Sequence, residues 1–116
     1  MIGVLDHPRL PRSQALGREM AEWLKKRGYA VWCGSNWDES NLASAIHQLS
    51  LLIVLGGDGS ILRAARVAAP AAVPMFSVNL GKLGFLSEAQ PEEWQSKLDS
   101  VLHKDHRLER RLAGRR

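Results

Sequence analysis

Short unbroken apolar runs alternate along this chain with stretches whose apolar residues recur every three or four positions. Residues 1–5 (MIGVL) read as a first strand. Residues 6–12 contain two prolines and read as a loop, and Ser13 is a plausible N-cap. Leu16, Met20, Trp23 and Leu24 follow at helical spacing, and Gly28 supplies a stop. Residues 29–33 are aromatic and β-branched, which predicts a second strand. A turn-rich segment at 34–41 leads to a helix with Leu42, Ala45, Ile46 and Leu49 on its apolar face. Residues 51–55 (LLIVL) are uninterrupted, as in a central parallel strand covered on both faces. A turn at 56–59 precedes a helix at 60–68, halted by Pro70, and 75–78 form a fourth strand. Gly81 and Gly84 bracket a further turn. Pro91 suits a first helical position, with Glu92 and Glu93 in the first turn and Trp94, Leu98, Val101 and Leu102 as the buried stripe.

The order β-α-β-α-β-α-β-turn-α predicts an α/β fold: a parallel sheet with right-handed crossovers and helices on both faces, a Rossmann-like three-layer arrangement. Ligands of such sheets bind beyond the carboxyl ends of the strands, and here that rim holds the loops at Asp6, Gly34, Gly56 and Asn79.

The chain has 116 residues, enough for one domain. At 45% hydrophobic and 24% charged it is ordinary globular material, not a disordered segment. Cys33 is the single cysteine, which excludes an internal disulfide and a four-cysteine zinc site and makes a reducing, cytoplasmic home the expectation. No apolar run reaches the ~20 residues of a membrane span, and the start is too short for a signal peptide. Net charge is +4, and residues 103–116 carry all of it, leaving 1–102 with ten charges of each sign. A basic end of this length, without interleaved aromatics, does not read as a nucleic-acid surface.

The chemistry concentrates at Gly56-Gly57-Asp58-Gly59-Ser60. Glycines permit φ > 0 and close backbone approach, and N–H groups gathered at a helix N-terminus make an anion site suited to phosphate. Asp58 is the informative residue, because a carboxylate repels phosphate. Its presence points to holding Mg²⁺ or orienting an attacking hydroxyl; the plain alternative is that it caps the following helix. A P-loop is absent, since no Lys-Ser or Lys-Thr follows a glycine-rich run. Asp6-His7-Pro8 after the first strand is not a dinucleotide-binding glycine turn.

Two segments, LGGDGSILRAAR (55–66) and VNLGKLGFL (78–86), resemble the signatures of the NAD kinases. The turn at 56–59 alone is shared with lipid kinases and phosphofructokinases. The second segment is sharper, and the Gly-Thr-x-Asn-Asp segment of the lipid kinases is absent. The resemblance implies a phosphofructokinase-like N-terminal domain of a two-domain kinase. That kinase would phosphorylate the 2′-hydroxyl of NAD with ATP or polyphosphate as donor and Mg²⁺ or another divalent cation as cofactor. It further implies Asp58 as the base toward the hydroxyl and Gly56, Gly57, Gly59, Ser60 and Arg63 around phosphate and dinucleotide. Asn79, Gly84, Phe85 and Leu86 would come from the second segment, with Phe85 and Leu86 on the adenine side. An ordinary Asp, with a pKa near 3.9, is a weak base at neutral pH, so its expected work is orientation followed by late proton uptake.

The family's second, β-rich domain carries an Asn-Glu or Asn-Asp pair. Here Asn36, Asn41 and Asn79 precede Trp37, Leu42 and Leu80. The expectation is therefore an α/β domain at 1–103 and a basic tail at 104–116 leading to a missing C-terminal domain. Such a fragment is expected to be inactive alone and homo-oligomeric when complete. The alternatives are a non-catalytic phosphate-binding or assembly module, or a sugar or lipid kinase of the same superfamily. Elsewhere Trp23, Trp32 and Trp94 read as core, Trp37 as a loop residue without a role, Cys33 as a buried small hydrophobe, and the basic run 25–27 as a solvated helix end.

Overall fold

The structure, a computed structural model, describes residues 1–80 and 89–104. The predicted alternation is present. Strand β1 (Ile2–Asp6) leads to helix α1 (Pro11–Lys26), then β2 (Val31–Ser35) and α2 (Glu39–Ala45) with a short 3₁₀ extension (Ile46–Gln48). These are followed by β3 (Leu51–Gly56), α3 (Asp58–Ala68), β4 (Met75–Asn79), a 3₁₀ turn (Pro91–Glu93) and α4 (Trp94–Lys104). The four strands form one parallel sheet in the order β2-β1-β3-β4. Helix α4 runs through the expected domain edge at 103, and residues 105–116 lie outside the described residues.

Alternation along the strands sorts the core into two layers. Ile2, Val4, Leu51, Ile53, Leu55, Phe76 and Val78 face Met20 and Leu24 of α1 and Trp94, Leu98 and Leu102 of α4. Leu5, Leu52 and Val54 face Leu42, Ile46 and Leu49 after β2, and Ile61, Ala64 and Ala68 of α3. Every residue of β3 is buried, as its unbroken apolar run demands. Helix α1 packs against the sheet at Gly17, where a Cβ would make ordinary van der Waals contact with Leu55, Asp6 and Val4 at 3.5–3.7 Å.

Three local expectations are corrected. Helix α1 starts at Pro11, the position proline favours, so Ser13 is not its N-cap. Its far end is as expected: Gly28 (φ 93°) takes the left-handed conformation, its N–H bonding to Lys25 O and that of Tyr29 to Leu24 O. The second strand is shifted two residues on, to 31–35, because the Tyr29 N–H is held by Leu24 O in the turn that ends α1. Cys33 is exposed, not buried: β2 is the edge strand, and α1 leaves a groove of about 530 Å³ beside it. Trp94 is buried and Trp23 half-buried, the two meeting edge to face at 5.4 Å, while Trp32 is half-buried against the α2/α3 layer. Of the basic run, Lys25 and Lys26 are exposed, and Arg27 lies over the Trp23 ring at 3.9 Å.

The same groove holds Asp6, with Arg18, Glu22 and Lys25 on its walls. Burial pushes the Asp6 carboxyl above its ordinary value of 3.8, against the opposing pull of Arg18 and His7. The charged form is thus disfavoured in the folded chain, so this stability is lost as pH rises from 3.8 through the raised value. Asp6→Asn is expected to raise the melting temperature slightly at pH 7 and to match the parent below pH 3.8. Thermal melts of both chains at the two pH values check this, and an equal gap at both would count against it.

Candidate active site

Strand β1 sits between β2 and β3, so the chain crosses left from β1 to β2 and right toward β3 and β4. The crevice beyond the carboxyl ends of β1 and β3 is the switch point of the sheet. The segment 56–60 lies there, following the last residue of β3 and opening α3.

Asp58 is the first helical residue, and Gly57, extended at φ −101° and ψ −170°, is the N-cap. The plain alternative, in which Asp58 serves as the cap, is therefore not met. Asp58 is half-buried, Gly59 exposed and Ser60 half-buried, so the carboxylate is neither sealed in the core nor remote from the rim. Gly57 brings no capping side chain, and the first turn of α3 sets backbone N–H groups and the positive end of the helix dipole at the crevice.

The glycines have reasons other than the expected one. Gly28 is the positive-φ glycine among the described residues, so the turn needs no left-handed backbone. Gly56 is required sterically: a Cβ would come within 2.6 Å of Ser60 Oγ and 2.9 Å of Ser60 Cβ. Gly57 and Gly59 are different, for nothing among the described residues lies within 4 Å of a Cβ at either. Their bareness leaves the crevice open to close approach from outside.

The turn is anchored from three sides. The Leu55 carbonyl accepts from Ser13 Oγ at 3.2 Å and from Asn36 Nδ2 at 3.4 Å. Ser13, fully buried, also accepts the His7 N–H at 2.7 Å, tying the loop after β1 to the end of β3. Gly56 pairs with Asn79 in the β3–β4 register, and its carbonyl accepts from the Leu80 N–H at 3.1 Å. Arg12, in the first turn of α1, donates to Leu80 O at 3.0 Å and sets a positive charge at the β4 exit.

Of the residues singled out in sequence, Gly56, Gly57, Asp58, Gly59, Ser60 and Asn79 come together at the rim, with Asn79 buried at the end of β4. Arg63 is exposed on α3, four residues on from Gly59 and on the same helix face. Gly81, Gly84, Phe85 and Leu86 lie outside the described residues. Ser13, Asn36 and Arg12 were missed. No motif marks them, since each acts through a contact 19 to 68 positions away. Among the described residues no group of three His, Cys, Asp or Glu side chains could hold a metal, and no helix is long and apolar enough to cross a membrane.

Comparison with known proteins identifies the family. The family model described as ATP-NAD kinase N-terminal domain matches residues 12–106. A NAD kinase of Dehalococcoides mccartyi is 37% identical over 110 residues, covering 95% of this chain and 39% of the relative. A NAD kinase of Nitratidesulfovibrio vulgaris is 42% identical over 102 residues, 87% of this chain and 36% of the relative. One from Yersinia pestis is 37% identical over 120 residues, 96% and 41%. The chain thus spans about two fifths of the length of these relatives.

Proposed function

The chain belongs to the NAD kinase family, and we propose that it forms the N-terminal half of an active site that phosphorylates the 2′-hydroxyl of NAD, with ATP or polyphosphate as donor. The observation that carries this reading is the half-buried Asp58 carboxylate at the sheet's switch point, flanked by two glycines whose Cβ positions are open.

In this reading the N–H groups of the first turn of α3 face the transferring phosphate, where the helix dipole favours negative charge. Asp58 accepts a hydrogen bond from the sugar hydroxyl, holds it in line and takes its proton late. Ser60 offers a hydroxyl to phosphate, and Arg63 a guanidinium one turn along. Asn79 fixes the neighbouring strand end against Gly56. Gly84, Phe85 and Leu86 belong to the dinucleotide side in this reading, with Phe85 and Leu86 toward the adenine. Mg²⁺ typically binds through one or two carboxylates plus substrate phosphates, and a single carboxylate in the turn fits a cation carried in on the donor. When bound, that cation neutralises charge on the phosphoryl oxygens. A second domain supplies the remaining ribose and adenine contacts, the complete enzyme is a cytoplasmic homo-oligomer, and the chain alone makes no NADP.

The test separates stability from binding at one atom. Gly59→Ala places a methyl group in open space on a helix, so the melting temperature is expected to hold or rise, since Ala exceeds Gly in a helix by ~1 kcal/mol. In the complete enzyme the same methyl blocks the approach of substrate, and kcat/KM for NAD is expected to drop about tenfold or more. Wild-type kcat/KM in a stably folded variant would remove the close-approach argument.

A further inference from the structure

Trp37 is the exposed Phe, Tyr or Trp of the described residues, with 48% of its surface accessible; the other described Phe, Tyr and Trp rings are buried or half-buried. It stands directly after β2, on the same carboxyl rim as the turn at 56–60. Its position is fixed in advance. The Trp37 N–H donates to Ser35 Oγ at 3.1 Å, and the Asp38 N–H to Ser35 O at 3.1 Å, closing a tight turn. The Arg9 guanidinium lies over the indole at 4.7 Å, and the His7 ring meets it edge-on at 5.5 Å. Arg9 in turn donates its N–H to His7 Nδ1 at 3.1 Å.

The preceding residue connects this cluster to the glycine turn. Asn36 Nδ2 bonds the Leu55 carbonyl and would lie 3.6 Å from a Cβ at Gly56. Its Oδ1 is buried without a hydrogen-bond partner among the described residues, an acceptor whose isolation costs about 1–3 kcal/mol. Only a group that brings an N–H or O–H can satisfy it. An exocyclic amine or ribose hydroxyl does so; an ionised polyphosphate offers acceptors only. Arg9 on one side of the turn and Arg12 at Leu80 on the other supply positive charge along the rim.

We propose that Trp37, framed by His7 and Arg9, is the stacking platform for the base of a nucleoside triphosphate whose phosphates reach the turn at 56–60. This rests on the kinase reading and sharpens it, assigning the donor as a nucleotide. The adenine of NAD belongs, in that reading, with Phe85 and Leu86, which leaves the rim platform to the donor.

The test uses isotope-labelled chain titrated separately with Mg-ATP, Mg-tripolyphosphate and NAD. Both triphosphates are expected to shift the amides of residues 56–63, and ATP alone the Trp37 indole N–H. Trp37→Ala is expected to weaken ATP binding about tenfold and leave tripolyphosphate binding unchanged, with Trp37→Phe restoring most of the loss. An unchanged ATP affinity in Trp37→Ala overturns the platform while leaving the phosphate site standing. A shift of the Trp37 indole by NAD but not by ATP overturns the assignment to the donor. If neither triphosphate moves residues 56–63, the kinase reading falls and the platform with it.

Discussion

Asp58→Asn in the complete enzyme is expected to lower kcat by ~10²-fold or more and to leave KM for NAD nearly unchanged. Asn keeps the shape of the side chain and removes the negative charge and the late proton acceptor. The interaction lost belongs to the transition state, because hydroxyl alignment and proton uptake matter as the new P–O bond forms. The ground-state complex, held by backbone N–H groups and glycine-sized clearances, keeps its affinity. Steady-state kinetics with NAD varied at saturating donor separates the two parameters. Turnover at the parent rate would remove Asp58 from the reaction. A rise in KM with unchanged kcat would make it a binding group.

Gly56→Ala should act on the fold itself. The added methyl would stand 2.6 Å from Ser60 Oγ and 2.9 Å from Ser60 Cβ. Rotating the hydroxyl relieves the first contact but not the second, so the start of α3 must shift away from β3. Overpacking of this kind typically costs about 1–3 kcal/mol. For a domain of about 100 residues each kcal/mol lowers the melting temperature by ~4–8 °C. The double variant Gly56→Ala, Ser60→Gly removes both contacting atoms and is expected to recover most of the lost stability. Thermal melts of the two variants decide it: an unshifted midpoint for the single variant would mean that the turn yields freely. Together with Gly59→Ala, this divides the glycines of one turn into a structural position and an access position.

The architecture was legible because its strands are short, apolar and bounded by punctuating residues. The 51–55 run sits in β3, Gly28 closes α1 in the left-handed conformation, and Pro91 opens the turn into α4. The misreadings share a cause, which is that spacing along the chain carries no information about order across the sheet. Cys33 reads as core until β2 proves to be an edge. Ser13 reads as a cap because its hydroxyl is of capping type, yet that hydroxyl is used 42 residues away, at Leu55. The glycine turn was found by residue type, and the site's location by topology. The clearance at Gly57 and Gly59 needed coordinates, since the motif alone cannot separate a glycine demanded by backbone angles from one demanded by space.

The two side chains that converge on the Leu55 carbonyl come from different elements, Ser13 from the first turn of α1 and Asn36 from the exit of β2. A peptide gripped in this way has little independent play. On the β4 flank the Arg12 bond to Leu80 O adds a side-chain link to the backbone bond from the Leu80 N–H to Gly56 O. Loss of Arg12 would therefore leave both side-chain bonds to the Leu55 carbonyl untouched.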